Sequence, residues 1–334
     1  MKINAYAIKV PHMPLQKFVY EKDPRQNEIV ISIKYCSVTR GDVRFIDNFW
    51  GDTNYPLVPG LEIIGTIEKT GRQVQGLTVG DIVGIGYQVS SCSLCEYCLT
   101  GKEQFCQQQK LIPINDYGGF ADKIIVDYRF VYKMPEKLQS AVAAPLLCSG
   151  LTTYTAITKN GVKKGMNVGV IGIGSLGHLA LQFLDKLECN VTAFSHTKDK
   201  QNILKKLGAK QVIISDDEKA LQNCERTYDF ILSTSSADLP WSKYIKILKP
   251  EGILCFVGLP PEPISFKAEL LADYAQRSVV GNYIGSKKDM EAMLRFAEKH
   301  NIRALVDIFP MEQVNDVITK IRKNETHFSV VLTR

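Results

Sequence analysis

The run GVIGIGSLGH, Gly169 to His178, decides how this chain is to be read. A short apolar stretch, NVGVI, meets Gly172, Gly174 and Gly177 in the pattern G-x-G-x-x-G, and HLALQFLDKLE then repeats apolar residues at helical spacing. Strand, glycine turn and helix in that order are the setting in which this pattern binds a dinucleotide. The first glycine permits the tight turn, the second lets backbone approach a pyrophosphate, and the third lets the helix pack close on the strand. The N–H groups of Ser175 and Leu176 stand at the helix start, where the partial positive charge suits phosphate oxygens.

The sequence on both sides repeats the theme. SGLTTYTAITKNG reads as a helix before the turn. After it, NVTAFSH, QVIIS, YDFILSTS, GILCFVGL (Gly252 to Leu259) and SVVGNYIG (Ser278 to Gly285) read as strands, with NILKKLGA as a helix between two of them. Alternating strands and helices imply right-handed crossovers and a parallel sheet covered on both faces. A cofactor strand that binds NAD ends in Asp or Glu, which holds the ribose hydroxyls. Here that place belongs to Ser195, followed by Thr197 and Lys200. Two hydroxyls and a cation suit a 2′-phosphate that a carboxylate would repel, so the expected cofactor is NADP(H).

The first 148 residues follow another pattern. EIVISIKYC (Glu28 to Cys36), GLEIIGTIEKTG (Gly60 to Gly71), VGDIVGIGY (Val79 to Tyr87) and FADKIIVDYRFVYKM (Phe120 to Met134) are short β patterns punctuated by Gly, Asp or Pro. They predict a mostly antiparallel, barrel-like domain. DMEAMLRFAEKHN (Asp289 to Asn301) is an amphipathic helix, and FSVVLTR is expected to return to the first domain. The expected division is 1–148 with 286–334 for the barrel domain and 149–285 for the cofactor domain. A length of 334 residues accommodates two such domains.

Cys92, Cys95, Cys98 and Cys106, in SCSLCEYCLTGKEQFC, form a C-x2-C-x2-C-x7-C array. Four thiols so close together match the donor type and number of a closed tetrahedral zinc site. This lobe, about residues 91–107, is too short to carry the helix or ribbon of a nucleic-acid-binding zinc module, and a redox C-x-x-C pair leaves two thiols unexplained. The other five cysteines lie in apolar settings, where the thiol acts as a small hydrophobe. The net charge of +6 comes from scattered residues rather than a basic block, which argues against nucleic acid as partner. MKINAYAIKV lacks the apolar core of a secretory signal, and no stretch is long and apolar enough for a bilayer. A cytoplasmic location is the expectation.

Together these stretches resemble the zinc-type medium-chain dehydrogenase/reductase superfamily, and within it the cinnamyl-alcohol-dehydrogenase-like branch. NFWG (Asn48 to Gly51), YPLVPGLEIIG (Tyr55 to Gly65), the cysteine lobe, APLLCSGLTTY (Ala144 to Tyr154), GVIGIGSLGH, FVGLP (Phe256 to Pro260) and GNYIGS (Gly281 to Ser286) carry the resemblance across most of the chain. It implies a GroES-like antiparallel β barrel, a Rossmann doubly wound domain, a structural zinc, a small-molecule substrate and a homodimer.

The resemblance fails where such enzymes hold their reactive metal. They use Cys in C-G-V-C-H-T-D, His in P-G-H-E and Cys in L-L-C-A-G; the matching stretches here are CSVTRGDV, PGLE and LLCSG. Thr39 thus replaces a thiolate and Leu61 an imidazole, while Glu62 and Cys148 remain. One thiolate and one carboxylate make a poor site where three protein ligands are usual. Cys36 and Asp42, close in sequence, are the candidates for rebuilt ligation. The family's hydroxyl that touches the alcohol oxygen aligns with Gly41, and its relay histidine with Arg44, neither a general acid or base near neutral pH. Arg40 aligns with a residue that faces the cofactor pyrophosphate, and Trp50 with one that lines the substrate pocket, which Tyr87 also joins.

Without a metal to polarise a carbonyl, a simple alcohol is a poor hydride donor. A quinone, an activated carbonyl or a conjugated alkene spreads the charge, and hydrogen-bond donors can meet it. The expected activity is NADP(H)-dependent reduction of such a substrate, with Thr39 as donor to its oxygen. The alternatives are an alcohol/aldehyde dehydrogenase with a rebuilt zinc site and a non-catalytic NADPH-binding protein.

Overall fold

The computed structural model describes residues 1–196 and 199–334, and divides them into two compact units: Met1–Cys148 with Gly285–Arg334, and Ser149–Ile284. Thr197, expected beside the cofactor, lies outside the described residues.

In the first unit a seven-stranded sheet is ordered Val306–Pro310, Ser329–Thr333, Glu28–Val38, Glu62–Thr70, Ile82–Ile85, Tyr132–Lys133, with Lys123–Asp127 also paired to Glu28–Val38. Every pairing is antiparallel except that of Val306–Pro310 with Ser329–Thr333. The strand Glu28–Val38 is central because both its faces are apolar; Ile29, Val30, Ile31 and Cys36 are fully buried. Its end is fixed by Ser329–Thr333, the expected return of the C-terminal segment.

The run Phe120–Met134, read as one continuous β pattern, is broken in the structure. Lys123–Asp127 is a strand, Tyr128–Phe130 a 3-10 turn and Tyr132–Lys133 a second short strand. The cause is Asp127, whose carboxylate accepts the Arg129 N–H and caps the turn. A helix at Val314–Arg322 packs Val314, Val317, Ile318 and Ile321 into the same core.

The second unit is a six-stranded, all-parallel sheet ordered Gln211–Ile214, Asn190–Ser195, Asn167–Ile171, Tyr228–Ser233, Leu248–Phe256, Ser278–Gly281. Counted within the unit, that is the order 3-2-1-4-5-6 of a doubly wound dinucleotide fold. Ser175–Lys186 follows the first strand and buries Leu179, Ala180, Leu181, Phe183 and Leu184. The α/β class and the pairing of a GroES-like barrel with a Rossmann sheet are therefore as the sequence predicts. Among the described residues no single helix is long and apolar enough to cross a membrane.

Candidate active site

The cofactor turn is built as its glycines require. Gly172 has φ +82°, a left-handed conformation that favours glycine. A Cβ on Gly177 would overlap the carbonyl oxygen of Gly172, so only glycine lets the helix start this close to the strand end. Around Gly174 an added Cβ would meet nothing within 4 Å, which leaves room above the backbone. Thr234 Oγ1 donates to the Gly172 carbonyl and pins the turn to the neighbouring strand. Ser175 and Leu176 open the helix. Behind them His178 is fully buried, with Nδ1 2.9 Å from the Gly174 carbonyl oxygen. Burial pushes its imidazole down to about 4, so it is neutral and holds the turn from within.

Ser195 ends its strand, as expected, and no carboxylate stands there. Lys200 precedes the helix Gln201–Lys206, and partial burial pushes its ammonium below the usual lysine range.

The cysteine lobe gathers its four sulfurs to within 4.8 Å of one another. Cys92 Sγ is 3.8 Å from Cys98 Sγ and 3.5 Å from Cys106 Sγ, and Cys95 Sγ is 3.6 Å from Cys98 Sγ. Four thiolates at about 2.3 Å from one ion would stand about 3.8 Å apart, so the array fits zinc. The N–H groups of Leu94 and Cys95 reach Cys92 Sγ at 3.4 and 3.3 Å, and they lower its thiol to about 6. Arg129 ties the lobe to the barrel, donating to Ser93 Oγ while it pairs with Asp127 at 2.5 Å. Among the described residues this is the one group of three or more Cys, His, Asp or Glu whose donor atoms converge.

The altered metal positions lie around the start of the helix Arg40–Ile46. Thr39 caps that helix in a reciprocal box: its Oγ1 accepts the Asp42 N–H at 3.1 Å, and Asp42 Oδ2 accepts the Thr39 N–H at 2.8 Å. The Thr39 hydroxyl itself donates to Asp42 Oδ2 at 2.7 Å. This bond directs the one proton of the Thr39 hydroxyl toward Asp42. Asp42 Oδ1 accepts the Gly60 N–H at 2.8 Å, so both carboxylate oxygens are engaged and the helix is fastened to the PGLE loop. The sequence TRGD carries the T-x-x-D signature of such a box; read only as an alignment, it hid the role of Asp42.

Leu61 is buried, and its Cδ2 and Thr39 Oγ1 are the atoms an added Cβ on Gly41 would meet, at 3.9 and 3.2 Å. Glu62 is fully buried at the start of its strand, opposite Ser37. Cys36 is equally buried, wedged where a Cβ on Gly60 or Gly119 would come within 2.7 or 2.8 Å of its sulfur. Burial, and then the charges of Asp42 and Glu62, push the Cys36 thiol well above its usual range. Asp42, the other candidate for rebuilt ligation, already has both oxygens engaged. Cys148 caps the 3-10 helix Ala141–Leu147 and lies half-buried against the barrel core.

Trp50 is at the other end of the helix Arg40–Ile46. It is 41% exposed, with its ring 4.9 Å from Phe45 and 5.6 Å from Phe49. Tyr87 extends the cluster, 6.5 Å from Phe45. The Arg44 guanidinium lies 4.7 Å over Phe49 and 5.9 Å from Trp50. Arg40 Nη2 donates to Asn324 Oδ1 at 2.6 Å, on the surface of its own unit. The structure thus brings together Thr39, Asp42, Gly60, Leu61, Cys36 and Glu62, and separately Trp50, Tyr87 and Arg44.

A barrel of this topology, a doubly wound dinucleotide sheet and a four-cysteine lobe define a zinc-type, nicotinamide-linked dehydrogenase/reductase class. The alcohol dehydrogenase GroES-like domain matches residues 25–136, and the zinc-binding dehydrogenase domain matches residues 175–299. The chain is 37% identical over 332 residues to an aldehyde reductase, AdhA, of Synechocystis, covering 99% of this chain and 98% of that protein. A cinnamyl alcohol dehydrogenase of Sorghum bicolor superposes with TM-score 0.96 at 32% identity, over 100% of this chain and 98% of the other. The cinnamyl alcohol dehydrogenase of Helicobacter pylori, solved with NADP(H), superposes with TM-score 0.93 at 27% identity, over 100% and 98% of the two chains. The chain belongs to the zinc-type medium-chain dehydrogenase/reductase superfamily, as a cinnamyl-alcohol-dehydrogenase-like member, and is an alcohol-dehydrogenase-like oxidoreductase.

Proposed function

We propose that this chain is an NADP(H)-dependent reductase of an activated carbonyl, quinone or conjugated alkene, working without a catalytic zinc. The observation that carries the reading is the pair Thr39 and Leu61: a hydroxyl held in a helix cap and a buried alkyl group stand where the family has thiolate and imidazole. The remaining candidates do not complete a donor set: Asp42 is engaged at both oxygens, and among the described residues the one group whose donor atoms converge is that of the four lobe cysteines. The relative that is an aldehyde reductase supports the reductive direction.

The nicotinamide supplies hydride when bound. Gly172, Gly174, Ser175, Leu176 and Gly177 provide the pyrophosphate turn, and Ser195 with Lys200 recognises the 2′-phosphate. Thr39 meets the substrate oxygen with its hydroxyl, as hydrogen-bond donor, and Trp50 with Tyr87 gives a planar, unsaturated substrate a surface to stack on. Arg40 offers a cation to the pyrophosphate. Cys92, Cys95, Cys98 and Cys106 hold one zinc, which fixes their loop and takes no part in turnover. The protein works as a homodimer in the cytoplasm.

The test is elemental zinc per chain in protein purified without chelator or added metal, alongside NADPH oxidation with a panel of enones, quinones and aldehydes. One zinc with reduction of the panel is expected. Two zincs, or turnover abolished by removing the second, would establish the rebuilt alcohol dehydrogenase instead.

A further inference from the structure

We propose that the protonation of Asp42 decides whether the Thr39 hydroxyl can hand a proton to the substrate, an inference that rests on the reductase reading above. With Asp42 ionised, Oδ2 accepts from both the N–H and the hydroxyl of Thr39, and Oδ1 accepts from Gly60. Thr39 Oγ1 then faces outward only as an acceptor, because its single proton lies on the 2.7 Å bond to Asp42. An acceptor repels a developing oxyanion rather than stabilising it. When Asp42 Oδ2 gains a proton, the sense of that bond reverses: Asp42 donates to Thr39 Oγ1, and the Thr39 O–H turns outward. Asp42 is wholly enclosed and Thr39 is 9% exposed, so Asp42 can act on a ligand only through Thr39.

The proton and electron count closes. Two electrons and a hydrogen leave the dihydronicotinamide as hydride and form a C–H bond at the electrophilic carbon. The C=O or conjugated C=C π bond breaks, and the substrate oxygen takes the proton of the Thr39 hydroxyl. Thr39 recovers one from the Asp42 carboxylic acid, and after product leaves solvent returns a proton to Asp42 by way of the Thr39 hydroxyl. Asp42 acts through Thr39 and touches no substrate. The titratable group beside it on a neighbouring strand is Cys36, itself flanked by Glu62, and Arg40 and Arg44 lie on its own helix. Burial raises the Asp42 carboxyl to about 6, which places the change within an accessible range.

Single-turnover hydride transfer from NADPH to an acceptor that the protein reduces would be followed from about pH 5 to about pH 8. For the unaltered protein the rate is expected to fall as pH rises through about 6. Thr39→Ser keeps a hydroxyl and should keep that limb. Thr39→Val should lose it and run about 10²-fold slower at the acid end, the range of a lost general acid. A limb that persists in Thr39→Val, or vanishes in Thr39→Ser, overturns the proposal. Asp42→Asn removes an acceptor from the cap, so the second readout avoids that variant. Infrared titration of the cofactor-free protein should show a carboxylic acid carbonyl band that disappears near pH 6 and shifts in frequency in Thr39→Val. A band that titrates with ordinary carboxylates near 4, or ignores Thr39→Val, overturns the pair. If NADPH reduces no acceptor, the reductase reading falls, and the infrared result still decides whether Asp42 and Thr39 share a proton.

Discussion

Substituting Gly177 by alanine tests the cofactor turn most directly. The new Cβ would lie 3.1 Å from the Gly172 carbonyl carbon, closer still to its oxygen, and 3.2 Å from Thr234 Oγ1. Carbon pairs are comfortable at about 3.5–4.0 Å and the carbonyl oxygen is the tighter neighbour, so the helix Ser175–Lys186 must withdraw by roughly an ångström to clear it. Neither neighbour yields easily: one is backbone, and Thr234 is bonded to that same carbonyl. Overpacking of this kind costs about 1–3 kcal/mol. The retreating helix also carries away the N–H groups of Ser175 and Leu176. One weakened hydrogen bond to a charged phosphate is worth about 1.5–3 kcal/mol, or about 10- to 100-fold in NADPH affinity. Gly174→Ala is the control, since its Cβ would enter open space. It should leave stability within about 1 kcal/mol yet weaken NADPH, because the side chain occupies room the pyrophosphate needs. Urea unfolding and calorimetric titration with NADPH measure the two quantities. A Gly177→Ala protein with unchanged midpoint and affinity would refute the argument, as would a Gly174→Ala protein that unfolds as early as Gly177→Ala.

Cys95→Ser should take zinc from one per chain to none and accelerate amide exchange over residues 91–107, with NADPH affinity within about twofold of the original; elemental analysis and exchange mass spectrometry check this. Ser195→Asp should lower the ratio of NADPH to NADH affinity by at least about tenfold, through repulsion of the 2′-phosphate, measured by titration with both cofactors. Asp42 predicts a pH dependence of stability. Its folded value, about 6, lies above the ordinary 3.8, so the native state holds the proton more tightly. Its contribution therefore declines as pH rises between those values, by about 3 kcal/mol at 1.36 kcal/mol per pH unit. Urea unfolding at several pH values should show this slope for the unaltered protein relative to Asp42→Asn, whose residue 42 does not titrate.

The parts of the molecule legible in sequence are those set by local chemistry. Gly172, Gly174 and Gly177 announce their turn because spacing and backbone demand coincide, and the four cysteines announce their cluster because the ligands are consecutive. Alternation located the six parallel strands but not their limits: Ser278–Gly285 was expected as strand and only Ser278–Gly281 pairs. The break at Tyr128 was hidden because Asp127 looks like any strand-end polar residue until its carboxylate turns back on Arg129. Thr39 is legible as a missing ligand and T-x-x-D as a capping box, whereas the hold of Asp42 on Gly60 depends on two segments 18 residues apart meeting in space. Alignment shows which group is gone; only packing shows what the replacement is bonded to.

The return of Ser329–Thr333 to Glu28–Val38 has a consequence for synthesis. Ser149–Ile284 is continuous in sequence and can fold once it has left the ribosome, whereas the barrel must wait for a strand made after that whole segment. Until then the Glu28–Val38 strand lacks one neighbour along Tyr35–Val38, where Cys36, Ser37 and Val38 are buried in the finished protein. Nascent chains are thus exposed to edge-to-edge association for the time needed to translate roughly 300 codons, about 15–60 s at 5–20 residues per second. Expression yield should respond to slower translation and holding chaperones more than a fold of this stability alone would suggest.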